Sequence, residues 1–303
     1  MDSKLKKSSL TYRKLKISDY EQFKKLFYSC FRKKISFEFF KWRYFGSKFS
    51  FCYGVFISSK LVANVGLVSI KLNSKSNEII YSRHSSMVLK KYRGIGIFSD
   101  LLKKLKKKIS SKVNIIVMWP NKKNFSNFNI EKKNIIKKKY YIYKTKPKNT
   151  SYKITENSSI SELMRYKNYI KSNNNLFIKN TSYLKKRYLS YNRNEYFINK
   201  YKFKNFTSFF ILKKNKDISG LNYVLLDHFG STRINLKHLS HLINDQNKLI
   251  FLSKKKIYKP NHKLVDFINL KIGFIKKVNF RQKKNFLNKK EIYLGDTDTF
   301  ITI

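Results

Sequence analysis

The stretch LKKYRGIGIFSDLLKKL, residues 89–105, contains two glycines separated by one isoleucine. Glycine is rare in this chain, with 9 in 303 residues. Gly94 and Gly96 stand directly before a segment in which apolar residues recur at helical spacing and lysines fill the other positions. This pattern predicts a glycine turn followed by an amphipathic helix. The face predicted to be buried consists of Ile97, Phe98, Leu101, Leu102, Leu105 and Ile109.

A glycine turn that leads from a strand into a helix predicts a binding site for an anion. The first N–H groups of a helix have no partner within it, and the helix dipole adds about half a positive charge at the same end. Gly94 and Gly96 let the backbone approach a phosphate closely, and Arg93 adds a permanent charge. The spacing excludes a dinucleotide-binding G-x-G-x-x-G motif, because residue 99 is Ser99, and it excludes a P-loop, which needs G-K-[ST].

The segments around this turn predict a mixed α/β unit. Ser18 and Glu21 are spaced as a capping box at the start of the first helix. Two apolar runs separated by Ser59-Lys60 predict a β-hairpin. In chain order the pattern predicts helices over 17–31 and 36–45, strands over 53–58, 61–72, 78–89 and 113–119, a helix over 123–133 and a strand over 138–144.

The second half of the chain repeats this plan, after a polar linker around Pro147. Ser159 and Glu162 form a second capping-box pattern, and LKKRYL at 184–189 echoes FKWRYF at 40–45. Further along, the pattern predicts a strand–turn–strand over 207–227, a helix over 236–243, a strand over 248–253 and a helix over 262–274. Two copies of one α/β unit, residues 1–148 and 149–303, explain these similarities, and chance likeness of amphipathic segments is the alternative.

Composition predicts a folded protein of the cytoplasm. The chain is 42% hydrophobic and 16% aromatic, which excludes a disordered chain, and no apolar run approaches the roughly 18 residues that a membrane helix needs. The first residues lack the apolar core of a signal peptide. Cys30 and Cys52 stand in unlike contexts and are predicted to be buried small hydrophobic residues of a reducing compartment.

The formal net charge of +51, from 68 Lys and Arg against 17 Asp and Glu, has two explanations. The first explanation is that the protein binds a polyanion, such as nucleic acid, anionic lipid or an acidic glycan, because so large a positive charge attracts any of them. The other is the coding bias of an AT-rich genome, because Lys, Asn, Ile, Phe and Tyr dominate along the whole chain. In either case salt would weaken the attraction steeply.

The loop resembles the acyl-CoA loop of the GNAT superfamily of N-acetyltransferases, whose signature is [RQ]-x-x-G-x-[GA]. Arg93 and Gly96 match this signature, whereas Phe98 replaces its final small residue. The element order predicted above also matches the order of that fold, and Asn121 and Phe128 match the ends of the family's N-x-x-[AS]-x-x-x-[YF] pattern. The resemblance covers the first half, and no R-x-x-G-x-G stands after residue 150, so it implies a mixed-sheet GNAT acyltransferase fold in tandem with a degenerate second GNAT-like domain.

The resemblance implies an acyl-CoA-dependent N-acyltransferase, with acetyl-CoA as co-substrate, no metal, and a small primary amine, such as an amino sugar, as acceptor. The residues that it places at the coenzyme are Met87, Val88, Leu89, Arg93, Gly94, Ile95, Gly96, Ile97, Phe98 and Asn121. In the family, backbone N–H groups of the strand before the loop polarise the thioester carbonyl, which corresponds here to the stretch from Met87 to Leu89.

Candidates for the proton transfers are few. Glu78 and Asp100 are the only carboxylates between residues 39 and 130, and His84 is the only histidine before residue 228. Imidazole titrates near neutral pH, so His84 is the candidate general base, and a packing role is the alternative. Strand alternation predicts His84, Ser86 and Val88 on one face of the strand.

The roles of three other groups of residues remain open. Phe128 stands where the family has its acid tyrosine, which leaves Ser126, a water or the solvent to protonate the thiolate. Trp42 and Tyr44 are predicted to pack on the helix that borders the acceptor site in this fold, and Arg43 is either a solvated charge or a contact for an anionic acceptor. Asp296 and Asp298 mark either a turn or a site for an amine or a metal.

Two other functions stay open. An aminoacyl-tRNA-dependent transferase of related fold suits the positive charge, but such enzymes generally lack an intact coenzyme loop, so the run from Arg93 to Gly96 argues against it. A non-catalytic basic module that binds nucleic acid or an acidic surface would show tight, salt-sensitive binding of polyanions and no specific binding of the coenzyme.

Overall fold

The structure, a computed structural model, describes residues 10–70, 79–109, 113–118, 135–145, 156–166, 180–189, 196–203, 206–217, 220–230, 248–253 and 262–274. It divides into two compact units. The first comprises Met1–Met118, Ile130–Ile136 and Lys271–Val278, and the second comprises Trp119–Asn129, Lys137–Leu270 and Asn279–Ile303. The two units are described separately below.

The first unit is a mixed sheet with helices. Its elements are β1 (Leu10–Lys14), α1 (Tyr20–Phe31), α2 (Phe37–Tyr44), β2 (Phe51–Ile57), β3 (Lys60–Ile70), β4 (Ile79–Val88), α3 (Ile97–Ile109) and β5 (Val113–Met118). Strands β1 to β4 pair antiparallel in chain order, and β5 pairs parallel to β4. The last four residues of β12 (His262–Phe274) pair antiparallel to β5.

The second unit repeats this strand order. Its elements are β6 (Ile135–Thr145), β7 (Glu156–Ser158), α4 (Ile160–Arg165), α5 (Thr181–Leu184), β8 (Tyr196–Phe203), β9 (Phe206–Asp217), β10 (Gly220–Gly230) and β11 (Lys248–Ser253). Strands β7 to β10 pair antiparallel in chain order, β11 pairs parallel to β10, and β6 pairs antiparallel to β11. This is the order that two copies of one unit would give, although the division at residue 148 stays a prediction.

The turn and helix predictions for the first unit are confirmed. Strands β2 and β3 form the expected hairpin, and Ser58 and Ser59 both take positive φ angles, 45° and 64°, as a two-residue hairpin turn of type I′ requires. Helix α3 buries Ile97, Leu101, Leu105 and Ile109, while Phe98 and Leu102 stay half-buried at the margins of the predicted face.

An aromatic cluster joins α1 and α2 to the sheet. The ring of Phe23 lies 4.7 Å from that of Phe40 and 5.6 Å from that of Tyr44, and all three side chains are fully buried. The Tyr44 ring occupies the space above Gly66 of β3, where a Cβ atom would overlap it. Gly66 is therefore required by packing and not by its backbone conformation.

The helix starts differ from the predicted capping boxes. A short 3₁₀ turn, Ile17–Asp19, precedes α1, and Asp19 takes the role predicted for Glu21, that of the acidic residue that accepts the N-cap amide, by accepting a 2.7 Å bond from the Lys16 N–H. Two hydrogen bonds from Arg13, of 2.7 and 2.8 Å, hold the same carboxylate and lower its pKa. The capping box predicted from Ser18 and Glu21 was wrong, because the Arg13 guanidinium fixes Asp19 at the helix start.

The start of α4 follows half of its predicted pattern. The Ser159 hydroxyl accepts the Glu162 N–H at 3.0 Å, as expected of an N-cap residue. The Glu162 carboxylate does not complete the box, because it accepts bonds from Ser158 and from Lys200 of β8. This part of the capping-box prediction was wrong.

The last predicted helix is a strand. Residues 262–274 form β12. Their sequence, HKLVDFINLKIGF, has apolar residues at almost every second position as well as at helical spacing, so periodicity alone could not decide between the two structures. The strand predicted at 138–144 is confirmed as part of β6, but it lies in the second unit and does not complete the first.

Several predictions fall outside the described residues. They are the helices over 123–133 and 236–243 and the linker at Pro147. Among the helices that the structure describes, none has the length and apolar character that crossing a membrane would need.

We predict that Gly66→Ala destabilises the first unit by about 1–3 kcal/mol, because the added methyl group overlaps a ring that cannot move away. Gly54→Ala is the matched control: its methyl group would meet the flexible ends of Leu15 and Leu61, at 2.6 Å each, and should cost less. Urea unfolding of both variants measures the difference. Equal transition midpoints would contradict the role of the Tyr44 ring.

Candidate functional site

The predicted glycine turn is present at the end of β4. After Val88 the chain makes a short 3₁₀ turn, Lys90–Tyr92, and then passes through Gly94 and Gly96 into α3. The φ angles of these glycines are 85° and 86°, in the left-handed region that favours glycine. A Cβ atom at either position would have no atom within 4 Å, so the backbone of the turn is open on that side.

The start of α3 presents backbone donors beside this turn. The first bond of the helix runs from the Asp100 N–H to the Gly96 carbonyl, at 3.0 Å. The N–H groups of Ile97, Phe98 and Ser99 therefore have no carbonyl one turn earlier in the helix. Ile97 is buried, whereas Ile95 in the turn is 52% exposed. The helix start therefore offers an anion backbone N–H donors, the positive end of the helix dipole and a turn that is exposed to solvent.

Arg93 ties the turn to the end of β4. Its Nε–H donates to the Val88 carbonyl at 2.9 Å, and the Cys30 thiol donates to the same oxygen at 3.5 Å. Arg93 Nη2 also lies 3.9 Å from the Cys30 sulfur. Cys52 is buried as predicted, and burial raises the pKa of its thiol, but Cys30 is only half-buried and lies at the turn. The prediction of two buried cysteines was wrong for Cys30.

A β-bulge interrupts β4 three residues before its end. Gly66 of β3 lies opposite His84, and Asn64 lies opposite Met87, so two β4 residues, Ser85 and Ser86, face one β3 residue. Ser85 has a φ angle of 44°, which is unusual for a residue other than glycine.

The bulge overturns the predicted alternation along β4. Directly opposed residues share a face of the sheet, and Gly66 and Asn64 are two apart on β3, so His84 and Met87 lie on one face. Both are buried. The prediction that His84 shares its face with Val88 was wrong, because alternation assumes a regular strand and the bulge inserts one residue.

The amide directions at the end of β4 follow from its ladder with β3. The Leu89 N–H donates to the Val62 carbonyl at 2.9 Å, so Leu89 faces β3. Bonded and non-bonded pairs alternate in an antiparallel ladder, so the N–H of the preceding Val88 points away from β3. On the other edge of β4, the register with the described part of β5 runs from Ile79 with Val113 to Arg83 with Met118.

Of the three residues predicted to polarise a thioester, Val88 has an amide that points away from β3. The Leu89 amide is already bonded to β3, which removes it as a donor. The remaining coenzyme contact, Asn121, lies outside the described residues, as do Glu78, Ser126, Phe128, Asp296 and Asp298.

A polar cluster that the sequence did not predict lies under the bulge. The Tyr44 hydroxyl hydrogen-bonds to the Ser85 hydroxyl, and Asn64 Nδ2 donates to the Ser85 carbonyl at 3.1 Å. Burial raises the pKa of Tyr44 well above its ordinary value, so the phenol stays neutral. Tyr44 and Asn64 are fully buried. Their only sequence signal is the FKWRYF echo, which pointed to helix α2 but not to this contact.

Arg43, beside Tyr44, is buried as well. It is 5% exposed, and its guanidinium carbon lies 5.5 Å from the centroid of the Phe39 ring. A solvated charge, one of the two roles open for it, is therefore wrong. Trp42 packs on the same ring at 5.5 Å, which fits its predicted packing role.

Comparison with known proteins identifies the first unit. Residues 11–128 match the family model described as "Acetyltransferase (GNAT) domain". These residues belong to the GNAT family. Membership indicates acyl-CoA-dependent acyltransferase activity and agrees with the turn at Gly94 and Gly96. No curated protein sequence matches the chain.

Solved structures share the fold. A GCN5-related N-acetyltransferase from Anabaena variabilis superposes with a TM-score of 0.67 at 10% identity, over 88% of this chain and 73% of its own. A GCN5-related N-acetyltransferase from Kribbella flavida gives 0.59 at 9% identity, over 87% and 70%. Eis1 from Mycobacterium abscessus gives 0.56 at 10% identity, over 88% and 73%. At these identities the likeness establishes the fold alone.

Within the part of the chain that the structure describes, no three His, Cys, Asp or Glu side chains are placed to share an ion. The metal-free reaction stays a prediction.

We predict that Arg93→Lys weakens acetyl-CoA binding to the GNAT domain about tenfold, as expected for the loss of one charge-assisted hydrogen bond. Lysine keeps the charge but cannot reproduce the Nε–H bond to Val88. Calorimetric titration with acetyl-CoA measures the effect, and Lys91→Arg is the control at an exposed neighbouring position. If Arg93→Lys binds as well as the wild type, Arg93 acts through charge alone.

Proposed function

We propose that the GNAT domain binds acetyl-CoA and transfers its acetyl group to the primary amine of a small acceptor, with an amino sugar as the acceptor class. The observation that carries the proposal is the pair of left-handed glycines at the start of α3, tied by Arg93 to the end of β4. The predicted coenzyme contacts from Met87 to Leu89, from Arg93 to Phe98 and at Asn121 belong to the proposal, with Leu89 in a supporting role.

Binding of the diphosphate is assigned to the turn and the helix start. The N–H groups of Ile97, Phe98 and Ser99 are pre-arranged donors, and the helix dipole places about half a positive charge beside them. Arg93, which is exposed, adds a full charge. The open space at Gly94 and Gly96 allows a phosphate to reach the backbone without meeting a side chain.

Polarisation of the thioester carbonyl is assigned to the Val88 amide. Nucleophilic attack places negative charge on the carbonyl oxygen, and a fixed backbone donor stabilises that charge without having to reorient. Removing one such donor typically lowers the rate of acyl transfer by about 10²–10³. The sequence can predict the strand that carries this amide, and the ladder with β3 supports the choice of Val88, because the Leu89 amide is already bonded within it.

The transfer requires two proton movements. The amine loses a proton, its nitrogen forms a bond to the carbonyl carbon, the carbon–sulfur bond breaks, and the thiolate gains a proton. His84 is proposed as the base that accepts the first proton, directly or through water. It is 7% exposed and lies at the start of the bulge. The thiolate is proposed to take its proton from solvent or from Ser126.

The second half, residues 149–303, is proposed to be a degenerate GNAT-like domain that serves as a platform. Its strand order, with β11 parallel to β10, supports this proposal. It has no R-x-x-G-x-G sequence, so a second coenzyme site is not proposed. The cytoplasmic location inferred from the cysteines is proposed with it.

A basic groove favours a second property, the binding of polyanions. Lys104, Lys107 and Lys108 line this groove on α3, together with Tyr12 and Tyr53, and no carboxylate lines it. The ammonium groups of Lys104 and Lys108 lie 4.6 and 5.5 Å from the rings of Tyr12 and Tyr53. The groove supports binding of nucleic acid or an acidic surface, in addition to catalysis or in place of it.

We predict that the wild type binds acetyl-CoA saturably at low and at moderate salt, and that Gly96→Trp abolishes this binding. An indole at Gly96 would fill the space in front of the helix start and cannot accept a φ of 86° without strain. Calorimetry at two salt concentrations measures both effects. Heat that disappears in moderate salt and is unaffected by Gly96→Trp would favour the basic module and overturn the enzyme proposal.

We predict that His84→Gln lowers the rate of glucosamine acetylation by about 10²–10⁴ and removes a step from the pH–rate profile between about pH 5 and 8. Glutamine keeps much of the volume and a hydrogen-bonding group but does not titrate. Ser86→Ala, at a half-buried neighbour, is the control. An unchanged rate and an unchanged profile would restrict His84 to packing.

A further inference from the structure

We propose that Tyr44 is a positioning residue for the transfer: through Ser85 it holds the bulge of β4 in the shape that directs the Val88 amide at the thioester carbonyl. This inference rests on the proposed function. It assigns a role in the reaction to Tyr44, a buried side chain of α2 that is not among the predicted coenzyme residues.

The bulge has an unfavourable backbone that needs support. Ser85 has a φ of 44°, where a side chain crowds its own backbone, and the sequence provides no glycine at this position. Such residues persist when the surrounding structure determines their conformation. The contacts of Ser85 are therefore expected to affect the geometry of the whole bulge.

Two hydrogen bonds hold Ser85 from opposite ends of the residue. Its side-chain hydroxyl is paired with the Tyr44 hydroxyl, and its carbonyl accepts the Asn64 amide at 3.1 Å. Asn64 and Tyr44 are both fully buried, so water does not replace either bond in the folded protein. If the bond to Tyr44 were lost, only the Asn64 bond of these two would still hold Ser85.

The Tyr44 hydroxyl is itself held in place. Its ring packs 5.6 Å from Phe23 and 5.8 Å from Phe40, and it occupies the space that a side chain at position 66 would take. A ring enclosed in this way keeps its hydroxyl at one point. Tyr44 can therefore fix the bulge relative to α2.

The bulge and the glycine turn are anchored by separate contacts. Val88 follows Ser85 by three residues, so the direction of its N–H depends on the bulge, whereas the turn is held by Arg93 at the Val88 carbonyl. The thioester end of the coenzyme would thus depend on Tyr44, and the diphosphate end would depend on the turn. The two effects can be measured separately.

Tyr44→Phe tests this inference, because it removes one oxygen atom and keeps the ring. We expect the affinity for CoA, which lacks the thioester, to stay within about twofold of the wild type, while the affinity for acetyl-CoA falls about three- to tenfold. With [1-¹³C]acetyl-CoA, we expect the carbonyl stretching frequency of the bound ligand to return toward its value in water. In glucosamine acetylation, kcat should fall about 10²-fold with a much smaller change in KM for acetyl-CoA.

Three further variants separate positioning from stability. Tyr20→Phe, on the neighbouring helix α1, removes a phenol that donates to the Ile35 carbonyl at 2.8 Å and should leave all three measurements unchanged. Ser85→Gly in the Tyr44→Phe background should restore kcat in part, because glycine adopts a φ of 44° without support. Ser85→Ala removes the same bond from its other side and should reproduce the effect of Tyr44→Phe, which keeps the test valid if Tyr44→Phe folds poorly.

The outcomes are distinguishable. If the wild type binds neither CoA nor acetyl-CoA, the proposed function is wrong. A wild type that binds both, combined with variants that weaken both ligands equally or leave the carbonyl frequency unchanged, overturns only the role of Tyr44. Selective loss of the acetyl contact, with rescue by Ser85→Gly, supports it.

Discussion

The candidate site depends on one feature of β4, the bulge at Ser85 and Ser86 in its ladder with β3. After the bulge, the Leu89 N–H is bonded to β3, and the alternation of the ladder turns the Val88 N–H away from β3. A backbone amide that is bonded within a sheet cannot bind a ligand, so the amide that points out of the β3–β4 ladder is the one proposed for chemistry. The bulge then selects Val88, and the glycine turn places the start of α3 beside it.

The second unit contains a similar contact. Strand β10 has an irregularity between Leu225 and Asp227, and the hydroxyl of Tyr188, on a short π-helix over Lys185–Leu189, hydrogen-bonds to the Asp227 carboxylate. Tyr188 occupies the same place in LKKRYL as Tyr44 does in FKWRYF. A tyrosine that ties a helix to a bulged strand thus occurs in both units, which favours two copies of one unit over chance likeness. The sequence after residue 150 has no two glycines spaced like Gly94 and Gly96, so a tyrosine contact of this kind does not by itself indicate a coenzyme site.

The sequence predicted the parts of this structure that depend on local patterns. The Gly94–Gly96 turn, the buried face of α3 and the β2–β3 hairpin each follow from residues close together in the chain. The bulge could not be predicted, since Ser85 and Ser86 carry no signal for a positive φ and the contact that supports it comes from Tyr44, 41 residues earlier. The strand at 262–274 was missed for a related reason, because its pairing with β5, more than 140 residues earlier, decided between two local patterns of similar quality. The pairing of Asp19 with Arg13 was missed although the two residues are only six apart, because the capping-box pattern considers the residues of the helix start alone.

The large positive charge shows why geometry must provide the selectivity of such a site. A net charge of +51 attracts every polyanion, and lysines such as Lys104 and Lys108 provide that attraction over most of the surface of α3. Exposed charges act over a distance that salt shortens to about 8 Å under physiological conditions, and they do not distinguish a diphosphate from any other anion. Donors fixed by the backbone act only on an anion that fits between them. The φ angles of Gly94 and Gly96 set the positions of those donors, so the two glycines, and not the exposed lysines of α3, decide which anion the turn would select.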